Sequence, residues 1–237
     1  MVVNLLLAVV LGSPAKSLTP VLTYHDMVSV RDRKALWFDC TPAELQQQLD
    51  WLQRRGARFI SLAQLEAHLT RRQALPPNAV AVTFADNYEG FYRLALPILR
   101  RRRVPVTMFV HTDHVGSRKG RPKMAWAQLR ELDREGLVTI ASQTRSHPAD
   151  LRTLSNDALQ REFVGSKQVL ERQLGHPVLY LAYPNGKYDA RVAGAARAAG
   201  YRIAFTEAQR PAERAPDLFT VPRYVHTKYR QAWADAH

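Results

Sequence analysis

The chain has 237 residues, 46% apolar and 23% charged, which is ordinary for a globular protein and long enough to bury a full core in one domain. A single cysteine, Cys40, excludes an internal disulfide and reads as a packed small residue. The 34 Lys and Arg against 21 Asp and Glu give a net charge of +13, which favours anionic surroundings such as a cell-wall polymer or a membrane surface. No basic motif interleaved with aromatics occurs, which speaks against nucleic acid.

Residues 2–11 are apolar apart from Asn4, and Gly12-Ser13-Pro14-Ala15 follows, the form of a signal peptide cut after Ala15 or of a short anchor. About ten apolar residues is half of what crosses a bilayer, and a buried first element is the alternative. Residues 16–237 then make a single domain, and an exported or cell-envelope-associated protein is expected.

Residues 20–25 read as a short strand, and residues 26–39, with Trp37 and Phe38 among charges, as a loop bordering a cleft. Thr41-Pro42-Ala43-Glu44 predicts a helix start, with Thr at the N-cap, Pro at the first position and Glu closing a capping box. Leu45, Leu49 and Leu52 form its buried face, and Gly56 ends it. After a brief strand at 59–60, Ser61 with Gln64 opens a second helix carried by Leu62, Leu65 and Leu69.

From residue 79 onward, strands at 79–84, 106–111, 138–142, 179–182 and 202–205 alternate with helices near 88–102, 125–135, 156–174 and 189–199. That alternation predicts parallel βα units. Pro97 must kink or restart the first of these helices, and Arg100 to Arg103 at its end complement the helix dipole. A last strand is expected at 218–226. Periodicity alone leaves a closed barrel and an open doubly wound sheet both available.

The run Ala79-Val80-Ala81-Val82-Thr83-Phe84 ends on Asp86. A carboxylate at the carboxyl end of a buried parallel strand lies where α/β folds place ligands and metals. Capping of the next helix is the plainer alternative.

Thr83-Phe84-Ala85-Asp86-Asn87 resembles the first motif of the polysaccharide deacetylase (NodB-homology, carbohydrate esterase 4-like) family, usually Thr-Phe-Asp-Asp-Gly. Ser142-Gln143-Thr144-Arg145-Ser146-His147-Pro148 is similar to the second motif, Ser-His-Thr-x-x-His-Pro, and Ala182-Tyr183-Pro184-Asn185-Gly186 to the third. With Leu22-Thr23-Tyr24-His25 as the opening strand, the resemblance runs over residues 20–206, closest in motif style to the poly-N-acetylglucosamine deacetylase branch.

The resemblance implies an irregular (β/α)7 barrel of the α/β class, and metal-dependent hydrolysis of acetamide groups on an N-acetylglucosamine-containing polysaccharide. It places Asp86, Gln143 and His147 at the metal positions, zinc being the expected ion, bound weakly or absent. A carboxamide is a poorer donor for zinc than imidazole. The catalytic base position holds Ala85, which accepts no proton. Asn185 is expected to serve the oxyanion through its backbone, and His226 is the candidate acid. His25, Tyr183, Pro184 and Trp126 are expected to contact substrate. Asp26, Asp113, Asp150 and Asp189 are the carboxylates available to replace the base, and His111 and His114 mark where a relocated metal site would lie. Two readings result: a weakened deacetylase, and a pseudoenzyme kept as a glycan- or partner-binding module.

Overall fold

Eight short, mostly buried strands build the sheet: β1 (Val21–Tyr24), β2 (Arg58–Ile60), β3 (Ala79–Phe84), β4 (Val106–Val110), β5 (Val138–Ser142), β6 (Tyr180–Ala182), β7 (Ile203–Phe205) and β8 (Tyr224–Val225). The computed structural model describes residues 18–237, so the leader expected at 1–15 lies outside the described residues. Every strand pair is parallel, in the order β7-β6-β5-β4-β3-β1-β8, with β2 beside the start of β3. The resemblance implied an irregular (β/α)7 barrel, and seven strands do curl in that way, as a parallel half-barrel. Val221 narrows the opening: it pairs with Phe205 of β7 just before β8 joins β1.

The helices return antiparallel to the strands: α1 (Pro42–Arg54), α2 (Leu62–Arg71), α3 (Leu96–Arg102), α4 (Trp126–Glu135), α5 (Asn156–Leu174), α6 (Ala190–Ala198) and α7 (Tyr229–Ala236). Both predicted capping boxes form: Thr41 Oγ1 accepts the Glu44 N–H and Ser61 Oγ that of Gln64. Leu45, Leu49 and Leu52 seat α1 on a core that includes Val82, Phe84, Met108 and Leu181. Pro97 restarts the helix as expected: a π-helical turn at Phe91–Ala95 gives way to α3 with the proline in its first turn.

The final strand is shorter than the sequence pattern predicts. The Asp217 carboxylate accepts the Phe219 N–H at 2.5 Å and its carbonyl accepts the Thr220 N–H, making a turn of residues 217–220. Only Tyr224–Val225 remains as strand.

Candidate active site

β3 and β5 end side by side on either edge of β4, and their next residues meet. Asp86 leaves β3 in a left-handed conformation (φ +68°) and Asn87 follows at φ +38°. Asn tolerates that geometry through its short polar side chain: Asn87 Oδ1 accepts the His111 N–H at 3.3 Å. Gln143, 3% exposed, follows β5. Its Oε1 accepts the Asp86 N–H at 2.8 Å, and its Nε2 lies 3.2 Å from His147 Nε2. A backbone N–H can only donate, so the amide oxygen is fixed on Asp86 and the NH2 faces the imidazole. Asp86 Oδ1, 3.4 Å from His147 Nε2, is buried without a hydrogen-bond partner.

Burial works against the Asp86 charge, but His25, His147, His111 and Lys123 outweigh it and hold the carboxyl below its ordinary value. Burial drives His111 down to about 3 and lowers His25 as well. Lys123 Nζ donates to the Asp86 carbonyl at 2.8 Å and sits 3.3 Å above the Tyr88 ring; burial lowers it to about 8. Glu207, 3.9 Å from His25 and 3.7 Å from Arg223, adds a carboxylate to this end of the barrel. Sequence reasoning missed Lys123 and Glu207. Both stand in connections without periodicity, and no local signal marks them.

Two supports hold the loops. Glu162 of α5 accepts the N–H groups of Arg145 and Ser146 at 2.9 and 2.8 Å, fixing the turn that carries His147. Arg121 forks onto Asp39 and Asp26, pinning the loop between β1 and α1, which borders a cavity of about 410 Å³ as the sequence suggested. Asp39 is fully buried, and Asp26 nearly so. A Cβ on Gly90 would lie 2.1 Å from the Met27 carbonyl oxygen, so only glycine lets these segments meet. The pinned loop presents Trp37, 64% exposed, edge-on to Phe38, which lies 5.2 Å from His25.

The structure brings Asp86, Gln143, His147 and His25 to one end, and buries Tyr183, Pro184 and His226 away from solvent. Tyr183 is fully buried, stacked on Tyr188, with its hydroxyl donating to the Phe219 carbonyl; it offers no sugar-stacking face. Pro184 is buried beside it. His226 is 1% exposed and stacks on Tyr24, an unsuitable station for an acid that must reach a leaving group. Trp126 is half-buried against the core at the start of α4. Asn185 is exposed at φ +55°, its amide donating to the Ala149 carbonyl.

Ala85 is fully buried. The replacement carboxylates are engaged elsewhere: Asp26 by Arg121, Asp113 by Arg145, Asp150 by Arg152, and Asp189 as the cap of α6. His114 packs on His111 and is exposed.

The donor set falls short of a divalent-metal site. Among the described residues no three His, Cys, Asp or Glu side chains gather as a metal-binding group. Gln143, expected as a weak third ligand, has its oxygen committed to Asp86 and turns N–H toward the space a cation would need. That N–H also occupies the His147 Nε2 lone pair, the one an ion would require.

Residues 72–204 match the model of the polysaccharide deacetylase family. The chain is 23% identical over 201 residues to the poly-beta-1,6-N-acetyl-D-glucosamine N-deacetylase of Staphylococcus aureus, covering 79% of this chain and 68% of that protein. Among solved structures, IcaB from Ammonifex degensii superposes with a TM-score of 0.81 at 28% identity, over 93% of this chain and 98% of that one. The Streptococcus pyogenes deacetylase PplD, solved with acetate, gives 0.83 at 23% identity, over 94% and 100% of the two chains, a likeness of fold.

Proposed function

The chain belongs to the polysaccharide deacetylase family, and from that premise we propose that it binds an N-acetylglucosamine-containing glycan at the carboxyl ends of its strands, with amide hydrolysis weakened. The observation that carries this reading is the Gln143 carboxamide, pinned between the Asp86 N–H and His147. Hydrolysis of an acetamide needs a water activated by a base and a stabilised oxyanion. Ala85 stands at the base position and is apolar, and the other nearby aspartates are held in ion pairs or a helix cap. Trp37 and Phe38, beside His25, supply the aromatic face for a sugar ring that Tyr183 does not. The Asn185 backbone is the remaining candidate for the oxyanion, in a left-handed turn at the same end.

The S. aureus relative acts on a poly-β-1,6-linked N-acetylglucosamine polymer by its name, and the same substrate class is proposed here. The test has two arms: binding of N-acetylglucosamine oligomers followed by calorimetry, and acetate release from them with and without zinc. Binding with acetate release well under 1 s⁻¹ is expected, because a missing general base alone removes about 10²- to 10⁴-fold. Turnover of order 1 s⁻¹ or faster would overturn the impairment. Absence of oligomer binding would overturn the glycan reading. The full engagement of those aspartates favours a second reading, a binding module with no residual turnover; release indistinguishable from the no-protein control separates it from the first.

A further inference from the structure

At the amino ends of the strands, His68 of α2 faces Glu213 of the short helical turn Ala212–Arg214, in the connection from β7 to β8. His68 Nδ1 lies 2.8 Å from the Gln73 carbonyl, which can only accept, so Nδ1 carries a proton. The neutral ring then keeps a lone pair on Nε2, 3.4 Å from Glu213 Oε1. Glu213 Oε2 accepts the Thr19 N–H at 2.8 Å, while Oε1 is buried with no hydrogen-bond partner. Two acceptors thus stand against each other, and a cation between them resolves the conflict.

A proton on Nε2 would do so through a charge-assisted N–H···O bond, about 2.7–2.9 Å long. His176 has that arrangement: its Nδ1 also rests on a carbonyl, that of Pro177, and its Nε2 stands 2.8 Å from Asp133 Oδ2. The His68 gap is wider, at 3.4 Å. Bonds of about 2.0–2.1 Å to one tetrahedral ion place two donor atoms about 3.3–3.4 Å apart. The supports are also those of a ligand pair. A carbonyl on Nδ1–H orients a metal-binding imidazole, and the Thr19 N–H holds the carboxylate in the same way. A cavity of about 720 Å³, bordered by Leu69, Ala215 and Leu218, opens beside both side chains and leaves room for water.

We propose that His68 Nε2 and Glu213 Oε1 hold a zinc ion at the amino ends of the strands, with water completing its shell. One imidazole nitrogen and one carboxylate oxygen suit that metal. The ion clips α2 to the connection that returns the chain to β8, and the Ala212 N–H already ties this connection to the Thr19 carbonyl before β1. Two protein ligands make the ion exchangeable, unlike a closed four-ligand structural site. The clip lies at the opposite end of the strands from Asp86 and His147 and does not depend on whether they hydrolyse anything.

The experiment titrates the full chain with zinc by calorimetry and follows its nitrogen-labelled histidine rings by NMR. Binding of zinc is expected to move the His68 Nε2 resonance while Nδ1 stays protonated. H68Q and E213Q should each weaken that event by at least about tenfold. H147N and H176N, which alter histidines elsewhere, should leave it intact; circular dichroism checks that all four variants fold. Unaltered zinc affinity in both H68Q and E213Q would overturn the proposal. So would a wild-type His68 ring that keeps both its protons in saturating zinc, the mark of a plain ion pair with Glu213. Loss of the event in H147N or H176N, with H68Q unaffected, would likewise overturn it by assigning the ion to another histidine.

Discussion

Replacing Gln143 by His is expected to cost stability until a metal is supplied. The substitution removes the acceptor of the Asp86 N–H, a 2.8 Å bond beneath a side chain that is 3% exposed. An unsatisfied buried donor costs about 1–3 kcal/mol, and the lost contact with His147 adds a few tenths, so about 2 kcal/mol is expected overall. In urea, with a slope of about 2 kcal/mol per molar, the unfolding midpoint should fall by about 1 M. The imidazole would also complete a set of Asp86 and two histidines. Zinc at a hundred times its Kd then returns about 2.7 kcal/mol, enough to restore the midpoint. The assay is urea unfolding of wild type and Q143H in chelator and in zinc. A wild-type midpoint that rises with zinc as much as that of Q143H would refute the reasoning, as would Q143H matching wild type in chelator.

Three further outcomes are expected. W37A should weaken binding of N-acetylglucosamine oligomers about tenfold with an unchanged melting temperature, since the ring is largely exposed and stacking on it is worth about 1.5 kcal/mol; unaltered affinity removes Trp37 from the glycan face. G90A should destabilise by about 2–3 kcal/mol, because a Cβ would meet a carbonyl oxygen at 2.1 Å; denaturation within about 0.5 kcal/mol of wild type would show that the loop yields. R121M should lose about 3 kcal/mol at neutral pH by stranding the buried Asp39 carboxylate. Burial opposes the Asp39 charge, but hydrogen bonds from Arg121 and Leu36 outweigh it and depress its pKa; the contribution is present above the unfolded value and lost as pH falls through the folded one. The gap between R121M and wild type should therefore narrow below about pH 4, and a gap constant down to acid unfolding would count against the clamp.

Much of the scaffold was legible in the sequence because its determinants are local. The capping boxes at Thr41 and Ser61 need only four residues each, and both form. The buried run ending at Asp86 is a strand from Ala79 to Phe84, and Pro97 restarts a helix as its ring requires. What escaped depends on distant partners. Gln143 is oriented by a backbone group 57 residues away, which no motif spacing reveals. Tyr183 and Trp37 are both aromatic residues near the carboxyl end of the sheet, yet one is sealed beneath Phe219 and the other projects from a loop held by Arg121. The strand expected over 218–226 is cut short by the Asp217 turn, a side-chain effect that overrides its apolar pattern.

The join made by residues 221–225 bears on how the chain is born. Arg223, fully buried, donates from Nη1 to Thr23 Oγ1 across a sequence separation of 200, and from Nε to the Thr206 carbonyl. β8 thus docks against β1 only after the six strands between them have been synthesised. Until residues 224–225 have left the ribosome, β1 has β3 on one side and, among the described strands, an unsatisfied edge on the other. Such an edge is a template for pairing with neighbouring nascent chains. Deletion of residues 221–225 should accordingly harm yield out of proportion to the contacts it removes, and a slow terminal phase of refolding should vanish when this segment is absent.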